Sequence, residues 1–145
     1  MTLPWYVTAI AAALVWGVHY PLVDFALKRI SVLSVLLLTA IPILLLVPLY
    51  QQTLKHDIAV WQGLSWSARL PILGIMLTSL LGAVLLYLSI AGKNATLASL
   101  IEISYPVFVA LFAYLLFREL HVNAPVLIGA ALVFSGVALI VWHNP

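Results

Sequence analysis

The chain has 145 residues, of which 66% are hydrophobic and 7% are charged, whereas soluble domains are roughly 45–50% hydrophobic and about 25% charged. This composition excludes a soluble domain and predicts an all-α integral membrane protein. The formal net charge is +2, but the basic residues are scattered along the chain, which argues against a nucleic-acid-binding surface.

The first predicted transmembrane helix covers residues 3–27. We interpret it as a retained helix because no basic segment precedes its apolar run. Trp16, His19 and Tyr20 form a stripe along this helix. For His19 two interpretations stay open: a neutral imidazole bonded to a neighbouring helix, or a group that lines a cavity. Asp24 precedes Lys28 by four residues, which predicts an ion pair at the helix end.

The next two helices are predicted at residues 31–50 and 71–91. Ser31 is suited to cap the first of them, and Pro71 is suited to open the second. Residues 51–69 form the longest polar stretch and carry two tryptophans. We therefore predict a loop there that lies on the membrane surface and contains a short interfacial segment.

The fourth predicted helix covers residues 95–117, is capped by Asn94, and carries one acid, Glu102. A charged carboxylate at membrane depth costs about 2.5–3.5 kcal/mol on insertion scales, so Glu102 is expected to face a protein interior or a wet cavity. It is either a functional site or a neutral carboxyl group that holds helices together. Because Pro106 cannot donate to the carbonyl of Glu102, we predict a kink beside the acid.

The fifth predicted helix covers residues 124–142. Because five crossings are an odd number, the start of the first helix and the end of the last helix lie on opposite sides of the membrane. The connections on the two sides carry equal numbers of basic residues. These are Lys28, Arg29 and Lys93 on one side, and Lys55, Arg69 and Arg118 on the other. The positive-inside rule then favours neither orientation, which predicts dual topology and an antiparallel homodimer. A fixed orientation with a parallel or heteromeric assembly is the alternative.

Distinctive residues mark the C-terminal third of the chain. Tyr-Pro-Val-Phe spans residues 105–108, and the apolar run after it ends at Glu119. Proline and small residues then punctuate the last helix, namely Pro125, Gly129, Ala130, Ala131 and Gly136. Together with Trp16-Gly17 in the first helix, this pattern resembles the EamA-like family of the drug/metabolite transporter superfamily. One departure is Arg118, which stands where that family usually has glycine.

The resemblance implies a secondary transporter whose common form has ten helices in two inverted halves. The chain looks like one five-helix half of that architecture. It is also similar to the small multidrug resistance proteins, whose dimers exchange protons and cations at a glutamate in the first helix. Here the first helix offers His19 and Asp24, while the embedded glutamate is in the fourth helix. A coupling role for Glu102 therefore rests on the cost of burying it, and not on a matched motif.

These observations predict a secondary active transporter of a small metabolite or drug-like solute, a cation being one candidate, in the plasma (inner) membrane of a prokaryote. Proton and substrate would compete for Glu102. Tyr105, His19, Trp16 and Tyr20 would line the cavity with aromatic and hydrogen-bonding groups. The predicted partners are the small-molecule substrate, the lipid bilayer and a second, antiparallel copy of the chain.

The alternative is a non-transporting interaction subunit, whose small-residue faces dock a larger membrane protein and whose Glu102 pairs with that partner. We do not expect an enzyme, because the sequence offers no nucleophile–base pair. The absence of cysteine and the wide spacing of the four histidines also predict no metal site and no cofactor.

Overall fold

The computed structural model describes residues 4–119 and 122–144, and the regular secondary structure of these residues is entirely helical. Five stretches are long and apolar enough to cross a membrane: Trp5–Leu27, Val32–Gly63, Trp66–Gly92, Ala95–Phe117 and Ala124–His143. At a rise of about 1.5 Å per residue, even the shortest spans roughly the 30 Å of a bilayer core. The prediction of five membrane-spanning helices is confirmed. The predicted start of the first helix, Leu3, lies outside the described residues.

Seven α-helices build these crossings in the described residues: α1 (Trp5–Leu27), α2 (Val32–Leu46), α3 (Gln51–Gly63), α4 (Trp66–Gly92), α5 (Ala95–Glu102), α6 (Tyr105–Phe117) and α7 (Ala124–His143). The chain divides into two compact units. The first unit combines Met1–Leu22 with Gly92–Pro145, and the second is Val23–Ala91. Most of α1 therefore belongs with α5, α6 and α7, whereas α2, α3 and nearly all of α4 form the second unit.

The second crossing differs from the predicted helix at residues 31–50. Ser31 caps α2 as expected, because its Oγ accepts a hydrogen bond from the Ser34 amide at 3.3 Å. A 3-10 turn at Val47–Tyr50 then leads directly into α3, so the polar residues predicted as a loop continue the helical path. Pro48 in this turn has no N–H for an α-helical bond, and the tighter turn accommodates its absence. Glutamine, lysine and leucine favour helix, so polarity alone did not interrupt it.

The third crossing begins earlier than predicted. Helix α4 starts at Trp66, and Pro71 lies inside it instead of at its first position. Gly74, Thr78 and Gly82 recur every four residues in this helix, so they share one face of small residues. The Thr78 hydroxyl donates to the Gly74 carbonyl at 2.8 Å, and a Cβ added at Gly74 or Gly82 would meet nothing within 4 Å beyond the backbone of its own helix. This face is therefore open to a partner.

The fourth crossing is broken beside its acid, as predicted. Asn94 caps α5, because its Oδ1 accepts a hydrogen bond from the Leu97 amide at 2.8 Å. Helix α5 ends at Glu102 and α6 begins at Tyr105, directly before Pro106. The missing N–H of the proline leaves the carbonyl of Glu102 without its usual helical donor, which explains the position of the break.

Small residues on α5 pack the first unit together. Helix α5 contacts α7, and Ala95 and Ala98 are the buried residues of α5, with 5% and 4% of their surface exposed. Phe108 and Phe134 add an edge-to-face contact between α6 and α7, with ring centroids 6.1 Å apart. No described residue of α6 or α7 is buried, so both helices present side chains to lipid or to a partner.

Arg118 ends α6 in the left-handed region, at φ 60° and ψ 23°. Its amide donates to the Tyr114 carbonyl at 2.9 Å, and its guanidinium carbon lies 5.5 Å from the Tyr114 ring centroid. A side chain in this region costs about 1–2 kcal/mol because its Cβ approaches the following carbonyl. Glycine avoids that cost because it has no Cβ. The left-handed backbone therefore gives a physical reason for the glycine that the family resemblance predicts at this position.

Replacing Ala98 with Leu is expected to lower the unfolding free energy by about 1–3 kcal/mol, because the buried contact of α5 has no space for three more carbon atoms. The matched control is Ala12→Leu, which places the same side chain on an exposed position of α1. Thermal unfolding in detergent micelles compares the two variants. Equal unfolding midpoints would show that Ala98 does not lie in a packed contact.

Candidate functional site

A hydrogen bond joins the embedded acid to the first helix. The Tyr20 hydroxyl on α1 donates to Oε2 of Glu102 on α5 at 2.7 Å, which is typical of an O–H···O hydrogen bond. The two residues are 82 positions apart in the sequence, and both are half-buried. Tyr20 and Glu102 therefore form a polar contact between two membrane-spanning segments of the first unit.

The end of α5 adds further polarity around the acid. Glu102 is the last residue of this helix, where backbone carbonyl groups carry partial negative charge. Ser104, in the break, donates from its hydroxyl to the Ile101 carbonyl at 2.9 Å. Carboxylate and carbonyl oxygens both attract positive charge, so the local electrostatics favour a proton or a cation over an anion.

The rings of Trp16, His19 and Tyr20 form an aromatic cluster on α1. The Trp16 centroid is 5.0 Å from that of His19 in an edge-to-face arrangement, and 5.4 Å from that of Tyr20 at an interplanar angle of 44°. The His19 and Tyr20 centroids are 6.1 Å apart. Trp16 is 50% exposed, so part of its ring is open to lipid, to a partner or to a ligand. Indole and phenol faces attract organic cations, so this cluster is chemically suited to the same class of solute as Glu102.

Tyr105 lies apart from this group. It opens α6 after the break and is 59% exposed, and within the described residues no hydrogen bond connects it to Glu102. Tyr105 follows Glu102 by three residues in the sequence, but the break between α5 and α6 separates the two. The structure thus joins Glu102 to Tyr20, and Tyr20 to the rings of Trp16 and His19, while the roles of all five predicted site residues stay predictions.

The other predicted polar groups lie at helix ends. The Lys28 ammonium and an Asp24 carboxylate oxygen form the expected ion pair at 3.1 Å. Arg118 and Glu119 are exposed, as expected for charges that mark an interface. Among the described residues there is no group of three histidine, aspartate or glutamate side chains placed to hold a metal ion.

An apolar groove between α6 and α7 was not predicted from the sequence. It has a volume of about 390 Å³ and begins beside the helix break, with Ile103 and Pro106 among its lining residues. Ala110, Val126 and Ala130 line it further along. Its small residues were visible in the sequence, but only the pairing of α6 with α7 creates the concave surface.

Membrane-spanning helices with an acid held between two of them are typical of secondary transporters, which bind substrates and coupling ions within the membrane. The model of the EamA-like transporter family matches residues 3–142, and the chain belongs to this family. No curated protein and no solved structure matches the chain. Family and fold together indicate an integral membrane transporter of small solutes, and they point away from an enzyme.

Proposed function

We propose that the chain couples the movement of a small solute to protons through Glu102. The hydrogen bond from Tyr20 carries this proposal, because it holds the carboxylate of an embedded acid between two helices. A proton and a cationic solute compete for one carboxylate, since either of them neutralises it. Exchange of the two at this group would link the solute gradient to the proton gradient.

The surroundings of the acid favour an amphipathic organic cation as the solute. Glu102 and the carbonyl end of α5 attract positive charge, and the Trp16, His19 and Tyr20 rings provide aromatic faces. The apolar groove that begins at Ile103 can accept a hydrophobic portion. Tyr105 is retained in the proposed binding site as a residue that reaches the solute in another conformation of the transporter.

An antiparallel homodimer is the proposed assembly, in the plasma membrane of a prokaryote. The basic residues on the two sides balance three against three, so inverted copies are expected to coexist. Small-residue faces are available for their association: a Cβ added at Gly17 of α1 or at Gly136 of α7 meets nothing within 4 Å beyond the backbone of its own helix. Two such copies would complete a ten-helix transporter of inverted halves.

Reconstituted vesicles with an imposed pH gradient test this function. We expect the purified chain alone to drive gradient-dependent uptake of at least one organic cation in a solute screen, and we expect anions of similar size to be excluded. Flux that appears only when a second membrane protein co-purifies would favour the interaction subunit. Cation flux that is the same with and without the pH gradient would contradict proton coupling.

Replacing Tyr20 with Phe is expected to lower gradient-driven uptake about tenfold. The substitution removes the hydroxyl that donates to Glu102 and keeps the ring, and a hydrogen bond to a charged group is worth about 1.5–3 kcal/mol. Tyr6→Phe is the matched control, because Tyr6 lies on the same helix, is 52% exposed and contacts Trp5. Equal uptake by both variants would show that the hydroxyl does not position the acid.

A further inference from the structure

In the second unit, one arginine lies among two tryptophans where α3 is followed by α4. The Arg69 guanidinium carbon is 5.8 Å from the Trp61 ring centroid and 5.3 Å from the Trp66 ring centroid. Both distances fall within the roughly 6 Å over which a cation interacts with an aromatic face. Trp61 and Arg69 are half-buried, so the guanidinium is held in place instead of extending freely into solvent.

The hydrogen bonds of Arg69 leave part of its guanidinium available. Its Nη2 donates to the Gln62 carbonyl at 2.8 Å, and its Nε is buried without a partner among the described residues. Because the Nη2 bond uses one of several N–H donors and the side chain is only half-buried, the guanidinium retains donors for a further acceptor. An arginine fork with accessible donors fits the oxygen atoms of a phosphate, which it contacts through more than one N–H.

The position of this cluster indicates which phosphate it meets. The helical path Val32–Gly63 has 32 residues and is about 48 Å long, which exceeds the roughly 30 Å of the hydrocarbon core. Its polar end is α3, where Lys55, His56 and Asp57 are all exposed. Tryptophan concentrates at the level of the lipid headgroups, and the positive charge of arginine is attracted there by anionic lipids.

We propose that Arg69, which lies within 6 Å of the rings of both Trp61 and Trp66, binds the phosphodiester of an anionic glycerophospholipid. The indoles hold the planar guanidinium and present apolar faces to the upper part of the lipid chains. The accessible donors of Arg69 contact the phosphate oxygens. This lipid contact fixes the α3–α4 corner at the membrane surface, and it is separate from Glu102 and from the proposed transport.

Native mass spectrometry of the purified chain, titrated with phosphatidylglycerol or with phosphatidylcholine, tests the site. We expect the chain to prefer phosphatidylglycerol, and Arg69→Gln to bind it about tenfold more weakly, since glutamine cannot form the charge-assisted hydrogen bonds of the guanidinium to the phosphate. Arg29→Gln is the matched control. Arg29 also donates to a backbone carbonyl and lies over one aromatic ring, both belonging to Phe25, but it has no tryptophan pair. We expect Arg29→Gln to bind like the unmodified chain.

Three results would overturn the proposal. Equal phosphatidylglycerol binding by Arg69→Gln and Arg29→Gln would show that Arg69 does not contact the lipid. Displacement of the lipid by millimolar inorganic phosphate would identify free phosphate as the ligand. Arg69→Lys keeps the charge and loses the planar fork, so it remains informative if Arg69→Gln does not fold. We expect Arg69→Lys to bind more weakly than the unmodified chain, and full binding would show that any charge at this level suffices.

Discussion

Replacing Glu102 with Gln is expected to reduce proton-driven uptake to the rate of empty vesicles. The amide has nearly the size of the carboxyl group and still accepts a hydrogen bond from Tyr20, but it cannot exchange a proton. The variant should therefore fold and associate normally while its transport is no longer coupled to the pH gradient. Uptake into vesicles with and without an imposed gradient measures this loss directly.

The matched control for this variant is Glu119→Gln. Glu119 is the other glutamate of the chain, and it is exposed beyond the end of α6. The Glu119→Gln variant makes the same chemical change outside the proposed site, and we expect it to keep the uptake rate of the unmodified chain. If Glu102→Gln retains gradient-driven uptake, the acid serves only to hold α5 against α1, and the coupling group lies elsewhere.

The second large effect concerns the orientation of the chain in the membrane. A cysteine introduced at Asn144 is expected to react with a membrane-impermeant maleimide in about half of the copies in intact cells, because the basic residues on the two sides are balanced. The chain has no cysteine of its own, so this label reports a single position. Labelling of all copies, or of none, would show one fixed orientation.

Charge substitutions can separate the two orientations and test whether both are needed. Replacing Lys28 and Arg29 with Gln should fix one orientation, and replacing Lys55 and Arg118 with Gln should fix the opposite one. We expect each variant to be inactive alone, and uptake to return when both are produced in one cell. Full activity of either variant alone would contradict the antiparallel dimer and favour a parallel assembly.

The sequence by itself determined the features that depend on neighbouring residues. Apolar runs of about 20 residues predict membrane crossings because exposed backbone and charge are costly in hydrocarbon. The cap at Asn94, the break before Pro106 and the Asp24–Lys28 pair each act within about one helical turn. The helical structure of α3 could not be predicted from neighbouring residues, because polar residues are compatible both with a surface loop and with a continued helix.

Only the tertiary structure decided which of the distant groups meet. Nothing in the sequence pairs Glu102 with Tyr20 instead of Tyr105, because 82 residues separate the partners and their contact depends on the faces that α1 and α5 present to each other. The approach of the Arg69 guanidinium to the Trp61 and Trp66 rings likewise depends on the path of the chain between α3 and α4. Hydropathy and helix propensity specify where each segment lies in the bilayer, whereas side-chain packing specifies its partners.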